Sequence, residues 1–245
     1  MTWSNSDANS EKPNMDVICW RSRRRGSRPD CWPVEADVAI RSAPAKFYGS
    51  SESDAKMKRA LDVLACALFL AVFWPVLLLI IVAIRLQSPG KAIFAQARVG
   101  KNGRPFTCYK LRTMYSGTAN LPTHQVEASA VTPFGELLRR FKIDELPQLW
   151  NVLAGDMSLV GPRPCLPSQV ELADARRRLG VFEVRPGITG LAQVSGVDMS
   201  DAHRLAEIDA RYVRTQSLIG DIRLIWATLS GQGVGVDQVI RSSTT

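Results

Sequence analysis

The sequence predicts an α+β protein, a membrane-embedded re-entrant helix hairpin followed by a small cytosolic catalytic domain of helices with one short β-hairpin. Three observations carry this prediction. The stretch from Val63 to Ile84 runs for about 22 residues without a charge, two strand-like segments follow it around a Gly/Pro turn, and the remainder reads as amphipathic helices punctuated by Gly and Pro. A chain of 245 residues has room for one domain and an extension. The expected divisions are a disordered basic tail over 1–55, a re-entrant helix over 56–90, a catalytic domain over 91–235 and a C-terminal tail over 236–245.

The tail to about Ala55 is rich in Ser, Asp, Asn, Pro and Arg, with Arg21, Arg23, Arg24, Arg25 and Arg28 clustered. Such a segment cannot bury enough apolar surface to offset its ordering entropy. Its arginines read as a solvated tail or as a patch for anionic lipid or RNA. The terminus also lacks the pattern of a signal peptide.

The next segment belongs in lipid. Fifteen of the residues from Val63 to Ile84 are Leu, Ile, Val or Phe, together worth about −7 kcal/mol of insertion free energy. Lys56, Lys58 and Arg59 flank one end and Arg85, Lys91 and Arg98 the other, so both ends prefer the cytoplasm. Pro75 near the middle can break the helix into two legs of about 16 Å, each reaching halfway through the hydrocarbon. A kinked re-entrant helix is therefore favoured over a span.

Ala92–Val99 and Phe106–Met114 read as the two strands of a hairpin, joined by Gly100-Lys-Asn-Gly-Arg-Pro. A polar loop is expected over about 116–131. Thr132 then caps a helix that starts at Pro133 and carries Leu137, Leu138 and Phe141 on one face. Asp144 is a candidate N-cap for a second helix with Leu146, Leu149, Trp150 and Leu153 as its apolar face. Gln169–Leu179 reads as a helix whose Arg176, Arg177 and Arg178 form a solvated or lipid-facing run. Ser217–Leu229 has amphipathic spacing that suits either the core or the membrane interface.

The net charge of +8 favours an acidic partner, whether nucleic acid, anionic lipid or a phosphorylated metabolite. Cys19, Cys31, Cys66, Cys108 and Cys165 are scattered and without a CxxC pair, which reads as reduced thiols in a cytosolic setting. The chemistry concentrates between Arg139 and Pro164. There Asp144 and Glu145 lie between a basic run, Arg139, Arg140 and Lys142, and the rigid Gly161-Pro162-Arg163-Pro164 turn. Two adjacent carboxylates among cations suggest a site for anionic substrates. Arg185, Gly187, Thr189 and Gln193 lie in a glycine-rich segment that could hold phosphate, although a turn between strands is the commoner explanation of such a segment taken alone.

Several long motifs, in order, resemble one family. Lys58-Arg59-Ala60-Leu61-Asp62, the apolar segment with its proline, Gln96-Ala-Arg-Val-Gly, Tyr109-Lys-Leu-Arg-Thr-Met, Ile143-Asp-Glu-Leu-Pro-Gln-Leu-Trp-Asn-Val, Gly155-Asp-Met-Ser-Leu-Val-Gly-Pro-Arg-Pro and Arg185-Pro-Gly-Ile-Thr-Gly-Leu-Ala-Gln-Val-Ser-Gly are similar to those of bacterial sugar transferases, the small monotopic phosphoglycosyl transferases. The resemblance covers about residues 56–230. It implies transfer of a sugar 1-phosphate from a nucleoside diphosphate sugar, usually a UDP-sugar, to undecaprenyl phosphate, as the first membrane step of exopolysaccharide or glycoconjugate biosynthesis. It also implies a monotopic protein among inner membrane lipids on the cytoplasmic face, with no nucleic acid partner.

By the same resemblance Asp144 is the nucleophile and Glu145 helps hold Mg²⁺. The family's re-entrant helix usually carries Ser-Pro, where this chain has Trp74-Pro75. Chemistry agrees on the need for cations, because a diphosphate repels an anionic nucleophile until its oxygens are neutralised. Arg112, Arg139, Arg140, Arg163 and Arg185 are the candidates, with Gly187, Thr189 and Gln193 as further substrate contacts. The alternative is a non-catalytic, membrane-anchored basic protein that binds or regulates components of polysaccharide assembly.

Overall fold

The computed structural model describes residues 52–115, 130–197 and 201–231. The predicted C-terminal tail, almost all of the N-terminal tail and most of the 116–131 loop lie outside these residues. Helix α1, Glu52–Gln87, is the long apolar element. It begins four residues ahead of the expected boundary, so 52–55 belong to it. Its hydropathy of 3.0 over the most apolar window, only 6% of which is buried, makes it long and apolar enough to cross a membrane. Pro75 sits inside it.

Both ends of α1 are fastened to the rest of the protein. Near the start, Lys58 pairs with Asp221, Ser158 Oγ donates to Asp62 Oδ2 at 2.6 Å, and Arg59 Nη2 donates to the Leu153 carbonyl at 3.3 Å. Past the far end, Arg112 donates to the carbonyls of Ser88 at 2.5 Å and Pro89 at 2.9 Å. The middle is apolar and open, with Leu64, Leu68, Val72 and Leu79 all 60% exposed or more.

The hairpin forms as expected. Strands β1, Ile93–Val99, and β2, Pro105–Leu111, pair antiparallel from Ile93↔Leu111 to Val99↔Pro105. Their turn uses Asn102 and Gly103 at positive φ, the left-handed conformation that tight hairpin connections demand. Helix α2, Pro133–Arg140, starts where Thr132-Pro133 predicts, with Thr132 Oγ1 accepting from Gly135 N at 2.9 Å. Leu138 faces the core, but Leu137 and Phe141 are exposed, so the three do not share one face as expected.

The second carboxylate-bearing helix starts later than expected. Asp144 lies in a single 3₁₀ turn, Ile143–Glu145, entered through Lys142 at φ 56°. Helix α3, Gln148–Ala154, follows Pro147 without a side-chain cap. Pro147 lacks an N–H, so the junction has one orphan donor fewer to satisfy. The turn leaves both carboxylates free of capping duty. Leu149 is buried, whereas Trp150 faces outward.

The glycine-rich segment is a strand and a turn of helix. Strand β3, Ser158–Val160, pairs parallel with β4, Gly187–Thr189, and the short helix α5, Leu191–Val194, follows. The backbones meet so closely that a Cβ on Gly187 would lie 2.1 Å from Gly161 N. The glycines therefore serve close approach of two strands. Helices α4, Val170–Arg178, α6, Ala202–Thr215, and α7, Leu218–Ser230, complete the described fold.

The expected solvated run on α4 divides. Arg178 bonds only locally, but Arg176 is fully buried against Asp209 of α6. A heptad-like surface pattern cannot reveal this, because the partner lies on another helix. Around the pair, Val99, Cys165, Leu172, Leu205 and Ala206 form one core cluster. Val160, Leu191, Tyr212 and Leu224 form a second. Cys66, Cys108 and Cys165 are buried and unpaired with one another; Cys19 and Cys31 lie outside the described residues.

Candidate functional site

The site is assembled from β2, the 3₁₀ turn after α2, and the proline-flanked turn after β3. The turn exposes only 9% of Asp144 and 8% of Glu145. A buried carboxylate is costly unless cations and hydrogen bonds hold its charge. Glu145 has both. Lys110 of β2 donates to its Oε1 at 2.9 Å, and Arg163 donates to the same oxygen.

The two carboxylates consequently differ. Burial pushes Glu145 up, but Arg163 and Lys110 outweigh it and hold the carboxyl down at about 2. Asp144 has the same neighbours at longer range and no such bonds. Burial raises its pKa, helped by the charge of Glu145 and opposed by Lys110, Arg139 and Arg163. One carboxylate is thus held as an anion by its two cations, and its neighbour is desolvated. A desolvated carboxylate ringed by cations has the character of an activated nucleophile for an anionic electrophile.

The arginine candidates separate into those at the carboxylates and those elsewhere. Arg163 is on Glu145, and Arg139 stands close enough to act on Asp144 while its Nε donates to Thr113 Oγ1 at 2.8 Å. Arg140 is exposed, its guanidinium 5.8 Å from the Phe141 ring centroid. Arg112 ties down the exit from α1. Arg185 donates to the Gly155 carbonyl at 2.9 Å and lines a cavity of about 200 Å³ with Lys58, Asp62, Lys101 and Asp221. The neighbours that act on it are Arg59, Asp62 and Asp156, not the Asp144–Glu145 pair.

Gly187 and Thr189 sit in β4 beside Gly161, where Gly161 N donates to the Thr189 carbonyl at 2.9 Å. Thr189 Oγ1 shares a hydrogen bond with Thr228. Gln193 Nε2 donates to the Ile188 carbonyl at 3.1 Å, and its buried Oε1 has no protein partner. These residues form a second neighbourhood behind the turn that carries Arg163.

Lys110 is the site residue that sequence reasoning missed. Its signal was its strand position, since residues 106, 108 and 110 share one face of β2 and Phe106 and Cys108 are buried on it. As for metals, no group of three or more His, Cys, Asp or Glu side chains gathers among the described residues. The donor set suits Mg²⁺ arriving with phosphates, which needs only one or two carboxylates from the protein. Both cation bonds fall on Glu145 Oε1, leaving Oε2 as the oxygen to offer.

Comparison with known proteins identifies the family. The pattern of the family described as bacterial sugar transferase matches residues 53–232. The chain is 44% identical over 183 residues to the UDP-glucose:undecaprenyl-phosphate glucose-1-phosphate transferase of Caulobacter vibrioides, covering 70% of this chain and 68% of that protein. It is 38% identical to the undecaprenyl-phosphate glucose phosphotransferase of Komagataeibacter xylinus over 82% of this chain, but spans only 40% of that relative's length. It is 36% identical to the exopolysaccharide production protein ExoY of Rhizobium meliloti, over 78% of this chain and 94% of that one.

Proposed function

The chain belongs to the bacterial sugar transferase family, and on that premise we propose that it is a phosphoglycosyl transferase acting on undecaprenyl phosphate. The donor is a nucleoside diphosphate sugar, in our reading a UDP-sugar. The observation that carries the mechanism is the contrast within the pair. Glu145 is held ionised by Lys110 and Arg163, whereas Asp144 is buried beside them without a direct bond.

In the first half-reaction an Asp144 carboxylate oxygen attacks the phosphorus that bears the sugar. The bond from that phosphorus to the bridging oxygen breaks, and UMP departs with the electron pair. Arg163, Arg139 and Lys110 neutralise the phosphate oxygens as the nucleophile approaches. In the second half-reaction an oxygen of undecaprenyl phosphate attacks the same phosphorus and expels the Asp144 carboxylate, regenerating the enzyme. Mg²⁺ held through Glu145 would supply charge stabilisation to the departing phosphate.

The mechanism is tested by intact mass of the detergent-purified protein mixed with Mg²⁺ and UDP-sugars, without lipid acceptor. The expected result is an adduct of one sugar phosphate. Asp144 must be ionised to attack, and its pKa is raised, so adduct formation should rise with pH through a midpoint above that of an ordinary aspartate. A folded protein that releases UMP yet never carries the adduct would rule out the covalent step.

The same reading includes a re-entrant α1 at the cytoplasmic face of the inner membrane. Cys66 clusters with Cys108, and Ile84 with Leu111. Residues 66 and 84 would be about 27 Å apart along a straight helix, while 108 and 111 are about 10 Å apart along a strand. A bend near Pro75 reconciles the two. The outward faces of Leu137, Phe141, Trp150, Ile219, Ile222 and Trp226 suit the lipid interface, where tryptophan and amphipathic helices reside. Tags at residue 5 and at the C-terminus should both stay inaccessible from outside spheroplasts; labelling of either one would replace the hairpin with a span.

A further inference from the structure

The turn that presents Arg163 to Glu145 is flanked by Pro162 and Pro164, which have no N–H to anchor it. Its register must be held through its carbonyls. All four successive carbonyls from 162 to 165 accept a hydrogen bond, each from a different donor. Gly187 N donates to Pro162 O at 2.9 Å and Val99 N to Cys165 O at 3.0 Å. Between them, Arg176 Nη1 donates to Arg163 O at 2.7 Å, and Arg98 Nη1 donates to Pro164 O at 2.9 Å.

The two arginines are themselves fixed. Arg98 holds Gln96 Oε1 through Nε at 3.0 Å and Nη2 at 2.6 Å. Arg176 holds Asp209 Oδ2 through Nε at 2.9 Å and Nη2 at 2.5 Å, and the two side chains are 1% and 2% exposed. A guanidinium can do this because its rigid fork serves a carboxylate and a carbonyl at once. Burying an ion pair gives weak stabilisation compared with apolar residues of similar volume, so fold stability alone is a poor reason for this one.

We propose that Arg176, oriented by Asp209, and Arg98, oriented by Gln96, are positioning residues that set the Pro162–Pro164 turn so that the Arg163 guanidinium stands on Glu145 and beside Asp144. The proposal rests on the reading of Asp144 and Glu145 as the reactive pair. Arg176 and Arg98 hold the turn by its carbonyls, Arg176 also meeting the Cys165 thiol, and they act through Arg163. A misplacement of the order of 1 Å at a reacting group costs about 10²-fold in rate, and that is the effect expected from releasing either brace.

The test uses the full-length protein in detergent with the paired replacement Arg176→Met/Asp209→Leu, which removes the carbonyl donor without stranding a buried charge. A second variant, Arg98→Met, leaves the Arg176–Asp209 pair in place and decides the matter if the first does not fold. Two readouts are taken for each, kcat for UMP release and the rate of phenylglyoxal modification at Arg163, read by peptide mass spectrometry at one fixed pH. The Arg163 guanidinium is engaged on Glu145, and its retreat opens it to the reagent, so the expected result is a kcat about 10²-fold lower with faster modification of Arg163. A folded variant whose kcat and modification rate both match the unaltered protein would overturn the positioning role. The modification rate reads the geometry whether or not the protein turns over UDP-sugars, so faster modification without activity in the unaltered protein sinks only the catalytic reading.

Discussion

Asp144→Asn should abolish adduct formation and lower UMP release by at least about 10⁴-fold, the scale of losing a covalent nucleophile, while the protein stays folded and membrane-bound. The substitution is nearly isosteric and isolates charge and nucleophilicity from shape. Had Asp144 been a helix cap, asparagine would have served as well, but the helix begins at Gln148 without a side-chain cap. The Lys110–Glu145–Arg163 cluster does not need Asp144, so the cation site remains assembled. The element long and apolar enough for membrane attachment is α1, whose most apolar window is only 6% buried, and the substitution does not touch it. Loss of both activity and membrane association would point to unfolding. Normal turnover by a folded variant would exclude Asp144 as nucleophile and require another group of the enzyme to attack the donor.

What could be read in advance depended on whether the cause was local. The uncharged run of α1, the Gly-Lys-Asn-Gly turn of the hairpin and the Thr132-Pro133 start of α2 each arise from residues adjacent in the chain, and each appears where the residues place it. Asp144 and Glu145 were visible for the same reason, as one charge more than a cap requires. Lys110 was not, because it meets Glu145 across 35 positions of sequence. The apolar stripe of α7 was ambiguous by nature, since a core face and a lipid face have the same spacing. Only the fold shows that Ile222 and Trp226 point outward while Leu224 and Ala227 point in. The glycines of 187–196 were ambiguous for a different reason. Anion cradles and close strand packing both need a missing Cβ, and the approach of Gly187 to Gly161 meets that need without a ligand.

Arg176 is the residue whose surroundings depart furthest from its sequence context, and removing it alone should have the largest effect on stability. Arg176→Met leaves Asp209 buried at 2% exposure with no cation. Breaking a buried pair from one side costs about 3–5 kcal/mol, a large share of the roughly 5–15 kcal/mol by which a domain is stable. The loss also has a pH signature. Burial already raises the Asp209 pKa, with Arg176 opposing the shift, so the variant raises it further above the unfolded value. A folded state that binds the proton more tightly than the unfolded state gains stability as pH falls. The deficit should therefore be greatest near neutral pH and shrink as pH drops through the raised Asp209 pKa, an opposite trend to that expected from Glu145, whose lowered pKa costs stability as pH falls from about 4.5 toward about 2. Denaturant melts of the variant at neutral and mildly acidic pH, compared with Arg176→Met/Asp209→Leu, separate the two. If the single variant is as stable as the paired one at neutral pH, Asp209 is not stranded, and the ion pair is not what holds α4 against α6.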